Sequence, residues 1–263
     1  MGVPPALAGV GTVLLTGLLA RELGGEGSPR SSPRWPWPSR PSAAHLAGPS
    51  IYDFLAWAAL SFLVVRILRT GGDRLWVLVG LLAGVTLLDK ETILSLLASL
   101  VVGLLLTGDG VLRSPWPWAG TVIAGAIWLP NLLWQAHHSW PIFEMSRNLR
   151  REHSGLGPAL KFVPAQLGIP GWYVAPVWLA GLVALLREDR FRPHRAFAVA
   201  YGVSFVAVLT LIPDRPYYFA GLYPVLLAVG AVVTTNVVPG ARRFFSARSA
   251  KRTRPRRDAR SWR

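Results

Sequence analysis

Three consecutive charged residues, Asp89, Lys90 and Glu91, interrupt an otherwise apolar stretch of the sequence. A lysine in such a stretch can contact a phosphate, and a carboxylate beside it can orient a hydroxyl or act as a base. The plainer interpretation is a turn in which Lys90 pairs with an adjacent acid. Because charge at membrane depth is by default a functional-site hypothesis, we predict that Lys90 binds phosphate and keep Asp89 and Glu91 as secondary catalytic candidates.

A second set of chemically useful side chains lies in the stretch Asn131–Pro141. Indole faces beside hydrogen-bonding side chains suit a sugar, and the predicted sugar or acceptor contacts are Trp134, Gln135, His138 and Trp140. The alternative for the two tryptophans is an aromatic belt at headgroup level. The adjacent histidines have no nearby acid at helical spacing, so we predict no metal site.

Two arginines and a tyrosine complete the candidates: Arg147, Arg215 and Tyr218. Arginine binds phosphate in a bidentate way, so Arg147 and Arg215 are predicted phosphate contacts, whereas Tyr218 is a predicted sugar or acceptor contact. The alternatives are an amphipathic interfacial helix around Arg147 and a proline-rigidified turn with belt aromatics around Arg215.

Composition indicates what kind of scaffold must position these residues. The chain has 263 residues, of which 52% are hydrophobic and 16% charged, with 12 tryptophans, and this favours an all-α, polytopic transmembrane helix bundle. The net charge of +15 does not indicate nucleic acid, because ten of the 28 basic residues lie in the tail 242–263. Without cysteine there is no disulfide framework and no thiolate metal site.

Eight apolar windows meet or approach the roughly 20 residues that a membrane helix needs. They are Pro4–Ala20, Ile51–Leu68, Leu75–Leu88, Thr92–Thr107, Trp116–Leu133, Phe162–Leu186, Ala196–Ile212 and Phe219–Val238. Three charges at the bilayer centre would cost several kcal/mol, so we predict that Asp89–Glu91 is the tip of a hairpin of two short helices rather than the middle of one long helix.

Arginine-rich loops alternate with loops that carry few basic residues. Arginine and lysine residues near the ends of membrane helices stay in the cytoplasm. We therefore predict a multi-pass plasma-membrane protein in which the basic loops are cytoplasmic and the others lie outside. The cytoplasmic loops are those of Arg66–Arg74, Arg113, Arg187–Arg195 and the tail, and the outer ones are Asp89–Glu91, Asn131–Lys161 and Pro213–Tyr218.

Residues 1–50 break this alternation. The first helix ends at Arg21 on the cytoplasmic side, whereas the helix from Ile51 must start outside, so an odd number of crossings is required between them. Gly24–Ser50 is rich in Pro, Ser, Gly and Arg and cannot form a spanning helix. Either the first helix is inverted or a crossing has been lost here.

The predicted organisation has four regions. They are a first transmembrane helix (1–25), an irregular Pro/Ser/Arg-rich segment (26–50), a multi-spanning domain (51–240) and a basic, disordered cytoplasmic tail (241–263). The tail could bind anionic lipid at about 1 kcal/mol per basic residue, or serve only in retention and orientation.

Three segments, Gly80–Thr92, Leu129–Pro141 and Arg215–Gly230, together resemble the polyprenyl-phosphate-dependent membrane glycosyltransferases of family 39, within the GT-C class. Ala6–Gly25 also resembles the family's second spanning helix. The resemblance covers the protein mannosyltransferase and aminoarabinose transferase kind. It implies inverting transfer of a sugar from a polyprenyl-phosphate carrier to an acceptor on the extracytoplasmic face, with membrane lipid as partner and no cofactor.

In the family the catalytic carboxylate lies in the first outer loop, before the helix that Pro4–Ala20 resembles. We therefore expect the chain to lack this acid and to be an N-terminally truncated, incomplete member. The family also has an apolar crossing where this chain has Gly24–Ser50, and a compensated reading-frame shift is our hypothesis for that difference. One alternative is a non-catalytic remnant or partner subunit. Another is a small-solute transporter, but the inverted repeats of that class are not seen.

Overall fold

Apolar runs of the sequence form helices throughout the part of the chain that the computed structural model describes, residues 3–24, 50–108, 110–153, 156–213 and 215–237. These residues form α-helices and short 3-10 turns, with no strand among them, which confirms the all-α fold class. The α-helices are α1 (Val3–Glu22), α2 (Ser50–Thr70), α3 (Trp76–Asp89), α4 (Thr92–Thr107), α5 (Pro115–His137), α6 (Pro141–His153), α7 (Leu156–Gly168), α8 (Ala175–Arg187), α9 (Arg195–Leu211) and α10 (Tyr223–Val237).

Among the described residues, one helical run, Asp189–Leu211, which includes α9, is long and apolar enough to cross a membrane by itself. The bent pair of α7 and α8 would add a second span if it crosses as one unit.

The predicted hairpin after α3 is confirmed. Lys90 has an extended backbone (φ −155°) and separates α3 from α4. Helices α3 and α5 are parallel, because Gly80 lies against Gly120 and Gly84 against Ala124. Their backbones approach so closely that a Cβ at Gly80 would overlap the Gly120 carbonyl. Helix α4, which lies between α3 and α5 in the sequence, therefore runs in the opposite direction to both.

The loops separate into two ends of the bundle, as the arginine pattern predicts from Ile51 onward. The basic end holds the α2–α3, α4–α5 and α8–α9 connections, and Arg74 there lies 5.9 Å from the centroid of the Trp116 ring. Gly103, late in α4, contacts Ala196, early in α9. The opposite end, called the site end below, holds the α3–α4, α5–α6 and α9–α10 connections.

Helix α1 runs parallel to α2. Gly11 lies against Leu55 near the site end, whereas Glu22 at the basic end forms ion pairs with Arg66 at 3.0 Å and with Arg69 at 2.5 Å. The first helix is therefore not inverted relative to α2. Residues 25–49 and the tail from 238 lie outside the described residues, so the predicted loss of a crossing and the predictions for both regions remain predictions.

Two boundaries predicted from the sequence are wrong. The window Phe162–Leu186 is not one helix: α7 and α8 meet at 69°, because Pro170 and Gly171, the latter at φ +98°, end the helical backbone. The predicted outer loop Asn131–Lys161 is mainly helical, since α5 continues to His137 and is followed by α6 and the start of α7.

Candidate functional site

A cavity at the site end brings together three separate parts of the chain. Asp53 comes from the first turn of α2, Lys90 from the break between α3 and α4, and Tyr217 and Tyr218 from the segment before α10. The cavity has a volume of about 280 Å³, including the part open to solvent. Residues distant in sequence therefore face one space.

Asp53 is at the centre of this cavity. Its Oδ2 atom lies 2.7 Å from Lys90 Nζ and accepts a hydrogen bond of 3.0 Å from Thr92 Oγ1. Asp53 is only 7% exposed. Its second oxygen, Oδ1, is buried and has no hydrogen-bond partner among the described residues. A buried carboxylate oxygen without a donor is an acceptor for a ligand hydroxyl, because leaving it unpaired is costly.

The electrostatics of the cavity combine a fixed anion with a partly exposed cation. The Asp53 carboxylate lies in the first turn of α2, where the helix dipole favours an anion. The Lys90 side chain is 30% exposed. An ammonium has three donors, so the bond to Asp53 leaves donors for a phosphate. The plainer interpretation of Lys90, a pair with an adjacent acid, is wrong: its partner belongs to α2.

Tyrosines form one wall of the cavity. Arg215 Nη1 donates to Tyr217 Oη at 2.8 Å, and the Tyr217 and Tyr218 rings meet edge to face at 5.3 Å. Gly221 follows and lies against the buried ring of Trp57, where a Cβ would overlap the indole. This glycine allows the tyrosine segment to approach α2 closely.

Glu91 and Gln135 lie beside the cavity and join the α3–α4 turn to the end of α5. The buried Gln135 donates from Nε2 to Glu91 Oε1 at 2.8 Å and accepts from the backbone N–H of Ile142 at 3.3 Å. Burial raises the pKa of Glu91, and the hydrogen bond from Gln135 opposes this in part. Glu91 is therefore more easily protonated than an ordinary glutamate.

The aromatic candidates lie together beyond Gln135, away from the residues that line the cavity. The ring of Trp134 stacks on His138 at 4.3 Å, so one indole face is already covered. Ser139 and Trp140 have φ of 61° and 58°, the left-handed region, and Gln135 holds Trp140 through a carbonyl bond of 2.8 Å. Two consecutive residues in this strained backbone conformation indicate that surrounding contacts hold the turn in place.

The structure brings only part of the predicted site together. Lys90 and Tyr218 line the cavity, and Arg215 contacts its wall through Tyr217. Glu91 and its partner Gln135 lie beside the cavity and do not line it. The remaining candidates do not line it: Asp89, Trp134, His138, Trp140 and Arg147, all of which are exposed.

Sequence reasoning missed Asp53. The available signal was its position as the one acidic residue in the window Ile51–Leu68. Charge within such a window is a functional-site hypothesis, and the same argument that singled out Lys90 applies to Asp53.

Comparison with known proteins supports the resemblance seen in the sequence. Residues 42–134, about a third of the chain, match the family model described as dolichyl-phosphate-mannose-protein mannosyltransferase. No curated protein and no solved structure matches. The matched stretch contains Asp53, Lys90 and Thr92 but ends before Gln135 and the tyrosine wall. Over residues 42–134, therefore, the chain is similar to these mannosyltransferases, which supports the GT-C class of membrane glycosyltransferases.

Proposed function

We propose that the chain is a membrane glycosyltransferase, or a fragment of one, that binds a polyprenyl-phosphate sugar in the Asp53–Lys90 cavity. The observation that carries this proposal is the pairing of an ammonium with a buried carboxylate that has one oxygen free of partners among the described residues. A sugar phosphate offers both complements, a phosphate for Lys90 and a hydroxyl for Asp53 Oδ1. The GT-C relationship of residues 42–134 supports the same class of donor.

In the proposed transfer, an acceptor hydroxyl attacks the anomeric carbon of the sugar. A new bond forms from that carbon to the acceptor oxygen, while the bond to the carrier phosphate breaks and the phosphate leaves with the electron pair. Lys90 stabilises the charge that develops on the phosphate. The acceptor proton passes to a carboxylate base. We assign Asp53 to holding a sugar hydroxyl, because its Oδ2 is already engaged by Lys90 and Thr92.

The site end is the extracytoplasmic end in this proposal, and the protein is a multi-pass protein of the plasma membrane. Arginines at the α2–α3, α4–α5 and α8–α9 connections support this orientation, because positive residues near helix ends stay in the cytoplasm. A lipid-linked sugar would then enter the cavity from the outer leaflet.

A second candidate is a binding protein without turnover, either a remnant or a partner subunit. The observation in its favour is the same ion pair: the carboxylate that the described residues place in the cavity is neutralised by Lys90. Binding of the carrier phosphate would be kept while transfer would be absent.

The test uses the full chain in lipid nanodiscs, with undecaprenyl phosphate as the binding probe and polyprenyl-phosphate mannose as the donor for turnover. Loss of a charge-assisted bond predicts at least about tenfold weaker binding in Lys90→Ala. Lys161→Ala is the matched control, because Lys161 is exposed on α7 and does not line the cavity.

Three results separate the candidates. Turnover that Lys90→Ala abolishes supports the transferase. Probe binding that depends on Lys90 without any turnover supports the second candidate. Absence of binding, or equal binding by the Lys90 and Lys161 variants, overturns both.

A further inference from the structure

Tyr217 and Tyr218 form the tyrosine wall, and the segment that carries them is hydrogen-bonded to a buried polar pair that does not itself line the cavity. Tyr223 Oη donates to Gln166 Oε1 at 2.7 Å, and Gln166 Nε2 donates to the backbone carbonyl of Pro216 at 3.1 Å. Gln166 is 3% exposed and Tyr223 is 4% exposed. Pro216 directly precedes Tyr217. The pair therefore connects α7 and α10 to the segment that carries the wall.

We propose that Gln166 and Tyr223 are positioning residues that hold the segment 215–218 in place, so that Tyr217 and Tyr218 contact the sugar-phosphate head group bound at Lys90. This inference rests on the proposed function for the identity of the ligand. Its structural part, the fixing of the segment by Gln166, is independent of that ligand and can be tested separately.

The surroundings of the pair explain why a polar contact here has a specific effect. An aromatic cluster surrounds it, in which Phe162 contacts Phe219 at 6.1 Å and Tyr223 contacts Trp178 at 5.4 Å between ring centroids. Apolar packing is not directional, so it buries Phe219 without fixing the backbone before it. A hydrogen bond to one carbonyl fixes both position and orientation.

Local hydrogen bonds do not provide the same connection. The segment folds back on itself, with Tyr218 N bonded to Arg215 O and Arg215 N bonded to Ile212 O, each at 3.1 Å. These bonds give it shape and join it to the end of α9. Gln166 adds an attachment to a different helix, α7, three residues before the 69° bend between α7 and α8 begins.

The first experiment measures the position of the segment directly. The chain has no cysteine, so Tyr218→Cys gives a single labelling site. The rate of reaction with a polar maleimide is measured in nanodiscs with and without Gln166→Leu. Loss of one directional bond predicts about a tenfold faster reaction, which corresponds to about 1.4 kcal/mol. Ser204→Ala, which removes a buried hydroxyl on α9, is the control and should leave the rate unchanged.

The second experiment measures binding of undecaprenyl phosphate mannose in chains that keep Tyr218. The double variant Gln166→Leu/Tyr223→Phe removes both members of the pair, so neither is left buried without the other. Tyr223 is also hydrogen-bonded to the buried Tyr201, so the reference is Tyr223→Phe alone, and the double variant should melt no lower than this reference. Affinity should fall about tenfold, in line with the labelling rate. If the pair served only to stabilise the fold, the double variant would change both the melting temperature and the affinity, or would change neither.

The outcomes distinguish this inference from the proposed function. An unchanged labelling rate in Gln166→Leu overturns the inference, whatever the ligand does. Faster labelling with unchanged affinity shows that the segment does not serve the site and also overturns it. If the unmodified chain binds neither probe, the proposed function fails, and the positioning role at that ligand fails with it, while faster labelling still establishes that Gln166 fixes the segment.

Discussion

Lys90 forms an ion pair with Asp53, with Nζ 2.7 Å from Oδ2, and not with the carboxylates of its neighbours Asp89 and Glu91. The pair joins the break between α3 and α4 to the first turn of α2. We predict that Lys90→Met destabilises the fold by about 2 kcal/mol, because Asp53 would remain buried without its charged partner. Denaturation in mild detergent measures this.

The double variant Asp53→Asn/Lys90→Met should recover most of that loss, since no net charge is left buried. Binding of undecaprenyl phosphate should stay weak in both variants. A double variant as unstable as the single one would show that the ion pair is not the source of the effect.

Glu91 makes the stability of the fold depend on pH, and the sign of this dependence follows from the direction of its pKa shift. Its pKa is raised from the ordinary value of 4.5 by burial. Above 4.5 the unfolded chain releases this proton before the folded chain does, so stability falls as pH rises from 4.5 to the folded pKa. Glu91→Gln keeps an acceptor for Gln135 and should remove this fall. Melting temperatures between about pH 4 and pH 7 should be flatter in the variant; parallel curves would contradict the prediction.

Two glycines of α5 provide a matched pair for the contact with α3. A Cβ at Gly120 would overlap the Trp76 carbonyl, whereas Gly125 has nothing nearby. We expect Gly120→Ala to destabilise by about 1–3 kcal/mol through overpacking. Gly125→Ala should be neutral or stabilise by up to about 1 kcal/mol, because alanine favours the helix. Equal unfolding free energies for the two variants would argue against the close packing of α3 on α5.

Cysteines placed at the two ends test the orientation of the helices. Arg21→Cys and Thr70→Cys lie at the basic end, while His137→Cys lies at the site end, and all three positions are exposed. In sealed vesicles of one orientation, an impermeant maleimide should label the first two from one side and the third from the other. Labelling of Arg21→Cys together with His137→Cys would contradict the parallel arrangement of α1 and α2.

Local sequence predicted those features of the fold that local chemistry determines. Three consecutive charges are incompatible with a helix centre in an apolar setting, so the break at Lys90 could be foreseen. The bend after α7 could also have been read from Pro170 and Gly171, but the apolar character of the surrounding window hid it. Helix α5 continues past Asn131 to His137 because the backbone of the polar residues at its end still forms helical hydrogen bonds.

The site was less predictable because its partners depend on packing. Asp53 becomes a partner of Lys90 only when α2 lies beside the α3–α4 break, and nothing in their sequence spacing indicates this. The same holds for Gln166, whose partners Pro216 and Tyr223 lie 50 and 57 residues later in the chain. Residues such as Trp134 and Trp140 have suitable chemistry but pack with their own neighbours.

Helices α3 and α4 form a hairpin whose two arms have different partners, α5 for Gly80 and α9 for Gly103. During synthesis the hairpin leaves the ribosome before either partner exists, and α9 is made long after α5. Until α9 is made, the face of α4 that carries Gly103 lacks this partner. The order of synthesis therefore limits the order in which the contacts can form: α3 with α5 first, and α4 with α9 later. A chain that ended between α5 and α9 would keep its α3–α5 contact and would leave α4 without its partner.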